Sequence, residues 1–112
     1  MHHPLINLIK NEKKFNQISK RYGTPTYVYC KKQLIRNISS INKALNANFK
    51  KYQICYTIKA NSNPHVIKTL KSEVPFLGAD CSSPGEIYAA NLGGISSKDC
   101  IFTGNYESTG DL

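Results

Sequence analysis

Ile54-Cys55-Tyr56-Thr57-Ile58-Lys59 runs directly into Ala60-Asn61-Ser62-Asn63-Pro64, and the fold class is decided at that junction. Apolar, aromatic and β-branched side chains in an unbroken row read as a buried strand rather than a half-solvated one. Pro64 suits the first position of a helix, where its fixed φ is already helical and its missing N–H is not needed. Val66, Ile67 and Leu70 then mark one helix face. The unit repeats downstream. Val74-Pro75-Phe76-Leu77-Gly78-Ala79 leads into a second strand ending near Asp80 and Cys81. Ser83-Pro84-Gly85-Glu86 has capping-box form and opens a helix through Ile87, Tyr88, Ala89 and Leu92, which Gly93-Gly94 closes. Cys100-Ile101-Phe102-Thr103 is a third strand, and Ser108 or Thr109 is placed to cap one more helix. Strands alternating with short helices predict a parallel α/β sheet with right-handed crossovers.

Upstream, Phe15, Ile18 and Tyr22 recur at helical spacing before a Gly23/Pro25 stop. Thr26-Tyr27-Val28-Tyr29-Cys30 predicts a short strand. Leu34, Ile35, Ile38, Ile41, Leu45 and Phe49 form the apolar stripe of a helix over roughly residues 31–49. The expected division is therefore 1–30, an N-terminal helix with a lead-in strand, and 31–112, a run of about three βα units. With 112 residues the chain is too short for a complete eight-stranded β/α barrel, which takes about 200–250. Leu112 would fall in the first turn of a helix, so the sequence reads as the front portion of something larger.

The charge is lopsided. Residues 1–51 hold 11 basic and 1 acidic side chains, and residues 52–112 hold 4 basic and 6 acidic, which gives the net +8. Lys10, Lys13, Lys14, Lys20, Lys31, Lys32, Lys43, Lys50 and Lys51 fall mostly where the apolar pattern points outward. No zinc-finger spacing or aromatic–basic motif accompanies them, so a solvated exterior outweighs nucleic-acid binding. No apolar run reaches 18 residues, which argues against a membrane span. The N-terminal segment lacks a cationic stretch before an apolar one, which argues against a secretory signal. Cys30, Cys55, Cys81 and Cys100 contain no Cys-x-x-Cys pair, so no metal site is expected and free thiols in a cytoplasmic protein are.

In parallel α/β sheets chemistry gathers at the carboxyl ends of the strands. Lys59, Asp80 and Gly104-Asn105-Tyr106 all lie at or just past such ends. Lys59 either caps its strand and reaches water, or presents an amine able to condense with a carbonyl. Asp80 either bonds a turn amide or balances the charge of a cationic nitrogen. Glu86 and Ser83 have a ready structural role in the capping box. His65 is expected to be exposed, and His2 and His3 inert on the terminus.

Tyr56-Thr57-Ile58-Lys59-Ala60-Asn61-Ser62-Asn63 resembles the lysine motif of the fold-type III pyridoxal-phosphate-dependent decarboxylases, the diaminopimelate, ornithine and arginine enzymes. Tyr22-Gly23-Thr24-Pro25-Thr26-Tyr27-Val28-Tyr29 is similar to the N-terminal segment of the diaminopimelate branch. Gly78-Ala79-Asp80-Cys81-Ser82-Ser83-Pro84-Gly85-Glu86-Ile87 and Ile101-Phe102-Thr103-Gly104-Asn105 resemble the motifs of the next two strands. The four together cover residues 20–108. The resemblance implies a partial eight-fold β/α barrel, preceded by N-terminal helices and a short strand that joins a second, all-β domain. It implies pyridoxal 5'-phosphate as cofactor, with Lys59 forming the Schiff base and Asp80 supporting that lysine's charge. It implies an amino acid as substrate, loss of its carboxylate as carbon dioxide, and a homodimer as the full-length assembly. The 112-residue chain alone is expected to be inactive; the alternative is a non-catalytic remnant that binds a partner chain. Two departures stand out. Thr103 replaces the His that diaminopimelate decarboxylases commonly carry before Gly-Asn, and Tyr106-Glu107 replaces Asn-Lys.

Overall fold

Three short strands, β1 (Cys55–Thr57), β2 (Gly78–Cys81) and β3 (Cys100–Phe102), form one parallel sheet in the order β1-β2-β3. This is a computed structural model, and it describes residues 4–104, 108 and 110. The helices are α1 (Pro4–Ile9), α2 (Glu12–Tyr22), α3 (Lys31–Asn48), α4 (Pro64–Glu73) and α5 (Pro84–Leu92), with single 3-10 turns at Ile58–Ala60 and Ser97–Asp99. The parallel α/β reading holds. The helix expected beyond Ser108, and Asn105, Tyr106, His2 and His3, lie outside the described residues, Ser108 itself excepted.

Each βα junction is built by the residues that announce it. Asn63 caps α4 by accepting a hydrogen bond from the His65 amide at 2.9 Å, and Pro64 follows at the first helical position. Ser83 Oγ accepts from the Glu86 amide at 3.3 Å, while Glu86 Oε2 accepts from the Ser82 amide at 2.7 Å. That is the reciprocal logic of a capping box, with the glutamate reaching one residue further back than usual. Gly93 closes α5 and lies so near Ile67 that a Cβ there would overlap the isoleucine side chain.

The register places Cys55, Tyr56 and Thr57 opposite Gly78, Ala79 and Asp80, and Ala79, Asp80 and Cys81 opposite Cys100, Ile101 and Phe102. Alternation then gives the sheet two unlike faces. Ala79 and Cys81 are fully buried beneath the helices, in one core with Ile58, Ile67, Leu70, Val74, Leu77, Ala90 and Ile95, and Tyr56, Cys100 and Phe102 pack against it. The opposite face carries Cys55, Thr57, Gly78, Asp80, Ile101 and Thr103, and Ile101 is 51% exposed there.

Two expectations are corrected. Residues 26–30 form no strand: they pair with nothing in the sheet, and Tyr27 is 92% exposed. Aromatic and β-branched composition fits a pleated surface, but a strand also needs a neighbour to bond to. The first strand also ends earlier than its apolar run, because Ile58 turns inward as the fully buried start of a 3-10 turn. Of the long apolar stripe on α3, Ile38 is buried, whereas Ile41 and Phe49 remain exposed. The nine lysines assigned to the exterior are all exposed. Among the described residues no helix is long and apolar enough to cross a membrane.

Candidate active site

The carboxyl ends of β1 and β2 and the residue just past β3 meet at one carboxylate. Thr57 and Asp80 are register partners on adjacent strands, so their side chains stand side by side on the open face. Thr103 lies two residues beyond Ile101, the β3 partner of Asp80, and its amide donates to the Cys81 carbonyl at 2.8 Å, continuing the parallel pairing. Thr57 Oγ1 donates to Asp80 Oδ2 at 3.1 Å, and Thr103 Oγ1 donates to Asp80 Oδ1 at 2.6 Å. Each carboxylate oxygen therefore has its own hydroxyl donor, one from each flanking strand.

The Thr103 hydrogen bond is the main reason the Asp80 carboxyl lies below the usual carboxylate range; partial desolvation pushes the other way, and Thr57 and the nearby Lys59 charge pull with Thr103. Lys59 itself is exposed, in the middle of the turn Ile58–Ala60 that leaves β1. That turn is held from both sides. Ile58 is sunk in the core, and the Tyr56 hydroxyl donates to the Asn61 carbonyl at 3.1 Å. The Asn61 side chain in turn accepts from the Asn63 amide at 3.0 Å. A turn braced from both sides thus carries a solvent-exposed amine near a carboxylate whose titration lies below the usual range.

The other candidates separate cleanly from this rim. Ser83 and Glu86 spend their polar atoms on starting α5, as the capping pattern predicts. His65 is exposed on the first turn of α4. The cysteines are free thiols. Burial, reinforced by neighbouring thiols and acidic groups, pushes Cys81 up to about 12, and burial likewise raises Cys55 and Cys100. They stay protonated at neutral pH and are poor nucleophiles. The sequence pattern missed Thr57 and Thr103 as partners of Asp80. The signal was present in the equal spacing of Thr57 and Asp80 from their strand starts, but it becomes readable only once the register is known.

Comparison with known proteins places the chain in a family. Residues 31–112 match the family model described as pyridoxal-dependent decarboxylase, pyridoxal binding domain. The diaminopimelate decarboxylase of Thermoplasma acidophilum is 32% identical over 97 residues, covering 87% of this chain and 23% of the relative. That of Bacteroides thetaiotaomicron is 38% identical over 81 residues, covering 72% and 20%. The crystal structure of diaminopimelate decarboxylase from M. jannaschi superposes with a TM-score of 0.67 at 29% identity, covering 85% of this chain and 22% of that one. A crystal structure from Aquifex aeolicus gives 0.68 at 33% identity. The chain thus spans between a fifth and a quarter of the length of the relatives it matches. Pyridoxal phosphate is the cofactor this domain type takes, and the residues present fit its aldehyde end: one accessible primary amine on a braced turn, with an ionised carboxylate close by. The parallel three-stranded sheet is part of a β/α barrel, and the chain belongs to the pyridoxal-dependent decarboxylase family.

Proposed function

We propose that this chain is the N-terminal part of a pyridoxal-phosphate-dependent decarboxylase acting on an amino acid of the diaminopimelate or ornithine type, and that Lys59 is the residue joined covalently to the cofactor. The observation that carries the reading is the position of Lys59 in the turn leaving β1, at the same strand-end rim as Asp80, whose two oxygens are both held by threonine hydroxyls. When bound, pyridoxal phosphate supplies the electron sink for the carbanion that loss of carbon dioxide leaves. Lys59 Nζ would hold the cofactor at its aldehyde end, and as an amine at the rim it could take up or return a proton there. Asp80 supplies a fixed negative charge that favours a protonated nitrogen next to it. Thr57 and Thr103 keep that charge in place.

In this reading residues 31–112 belong to the cofactor-binding barrel and residues 1–30 to the segment that precedes it. The working assembly is a homodimer in a reducing cytoplasm, in keeping with four unpaired thiols. The 112-residue chain alone lacks catalytic activity, because orientation and charge stabilisation take more than a lysine and one carboxylate. The test is incubation with pyridoxal phosphate, borohydride reduction and peptide mass mapping. A saturable adduct on Lys59 that disappears in Lys59→Ala is expected; labelling spread evenly over the exposed lysines would overturn the assignment. Carbon dioxide release from an amino acid by the chain alone would overturn the inactivity claim. The second reading is a non-catalytic chain that binds a partner, favoured by the exposed Tyr88 and Leu92 on α5 and Ile101 on the open sheet face. Size-exclusion chromatography showing a monomer, together with the Lys59 adduct, would dismiss it.

A further inference from the structure

Asp80 is acceptor to two hydroxyls from different strands, and that arrangement has a direction built into it. A hydroxyl has one hydrogen to give. Thr103 Oγ1 has two acceptors in reach, Asp80 Oδ1 at 2.6 Å and the Cys81 carbonyl at 3.5 Å, and the shorter contact takes the hydrogen. Thr57 Oγ1 gives its hydrogen to Asp80 Oδ2. Two hydroxyl hydrogens directed at the carboxyl stabilise its ionised form more than its neutral one, so the pair favours the carboxylate. The titratable groups around Asp80 are Lys59, Cys55 and Cys81; the thiols stay neutral, so Lys59 is the charge that answers it.

We propose that Thr57 and Thr103 are positioning residues for the cofactor lysine, acting through Asp80: a two-strand hydroxyl clamp that fixes the ionised carboxylate beside Lys59. This rests on the reading of Lys59 given above. A single short hydroxyl reaches Oδ1 because the pairing of β2 and β3 continues through the Thr103 amide.

The test uses the full 112-residue chain without cofactor, labelled with 13C at the aspartate carboxyl carbons, the Asp80 signal being assigned by its loss in Asp80→Asn. The Asp80 titration midpoint is expected to rise in Thr103→Val, to rise less in Thr57→Val, and to return towards the parent value in Thr103→Ser, which keeps the hydroxyl. Unchanged midpoints in both valine variants, or a rise in the serine variant equal to that in the valine variant, would overturn the clamp. A second reading comes from the rate at which the borohydride-trapped Lys59 adduct forms at one fixed pH. Thr103→Val frees the carboxylate from one of its two hydroxyls, so the rate is expected to change in that variant and to return in Thr103→Ser; equal rates in all three proteins would overturn the link to Lys59. Absence of any Lys59 adduct, the unmutated chain included, would sink the cofactor reading, and the Asp80 midpoints would still decide the clamp by themselves.

Discussion

Replacing Gly78 by alanine tests whether the strand register really sets the site. Gly78 opens β2, its amide donates to the Ile54 carbonyl at 2.9 Å, and it is buried. A Cβ there would lie 2.6 Å from the Asp99 carbonyl oxygen, 2.7 Å from Gln53 Nε2 and 3.2 Å from Cys55 Sγ. The Gln53 side chain is exposed and can swing away. The Asp99 carbonyl is main chain, in a turn whose Asp99 amide is bonded to the Ser96 carbonyl at 2.8 Å. Ordinary contact begins at 3.4 Å, so β2 and the turn before β3 must separate by 3.4 less 2.6, about 0.8 Å. Overpacking of this kind costs about 1–3 kcal/mol, and the loss of glycine's unfolded-state freedom returns about 0.4–1 kcal/mol. The net expectation is a loss centred on about 1.3 kcal/mol, or roughly 5–10 °C in Tm for a chain of this size. Gly85→Ala is the internal control. Its Cβ meets nothing nearer than Ser83 Oγ at 3.8 Å, so the same chemical change should leave stability equal or slightly raised. Urea and thermal unfolding of the two variants measure the difference. A Gly78→Ala chain as stable as the parent, or an equal loss in Gly85→Ala, would refute the packing argument.

Ile67 is fully buried between α4 and Gly93, so Ile67→Ala should lose about 2–5 kcal/mol in urea unfolding, and Ile67→Val about 0.5–1.5 kcal/mol. Ser83→Ala removes the oxygen that accepts from the Glu86 amide and should cost about 1 kcal/mol, whereas Ser83→Gly should cost only a few tenths. The folded-state carboxyl of Asp80 lies below its unfolded value, so its contribution is present above about pH 4 and is lost as pH falls through the folded value. Acid unfolding curves should therefore show a shallower acid limb in Asp80→Asn than in the parent chain; identical limbs would refute the assignment.

What the sequence disclosed were the features whose cause is local. Pro64 after Asn63, and Pro84 after Ser83, mark helix starts because capping is chemistry within a few residues, and α4 and α5 begin at those prolines. The three strands were readable because residues such as Ala79 and Cys81 are buried under helices and must be apolar. Residues 26–30 misled because strand formation depends on a neighbour that local composition does not report. Lys59 and Asp80 could be singled out from their positions at strand ends. The roles of Thr57 and Thr103 depend on a register linking residues 23 apart on either side of Asp80, and polar residues at strand ends look alike until the strands are laid side by side.

The division of labour between the two sheet faces has a consequence for how the site tolerates change. The buried apolar core lies on the helix side, reached by Ile58, Ala79 and Cys81, while Thr57, Asp80 and Thr103 project from the other side. Successive strand residues point to opposite faces, so the steps from 79 to 80 to 81 alternate between holding the fold and composing the site, and the turn after Thr57 does the same by sinking Ile58 into the core. Side-chain exchange at the site therefore removes few core contacts, and Lys59→Ala, being exposed, should unfold at nearly the parent urea concentration. A backbone shift behaves differently. Moving β2 by a fraction of an ångström carries Ala79 and Asp80 together, disturbing the core and stretching the 3.1 Å Thr57–Asp80 bond at once. Glycine at 78 and alanine at 79 are small for different reasons, one on each face: a Cβ at 78 would meet the Asp99 carbonyl oxygen and Cys55 Sγ, whereas Ala79 is fully buried in the core beneath the helices.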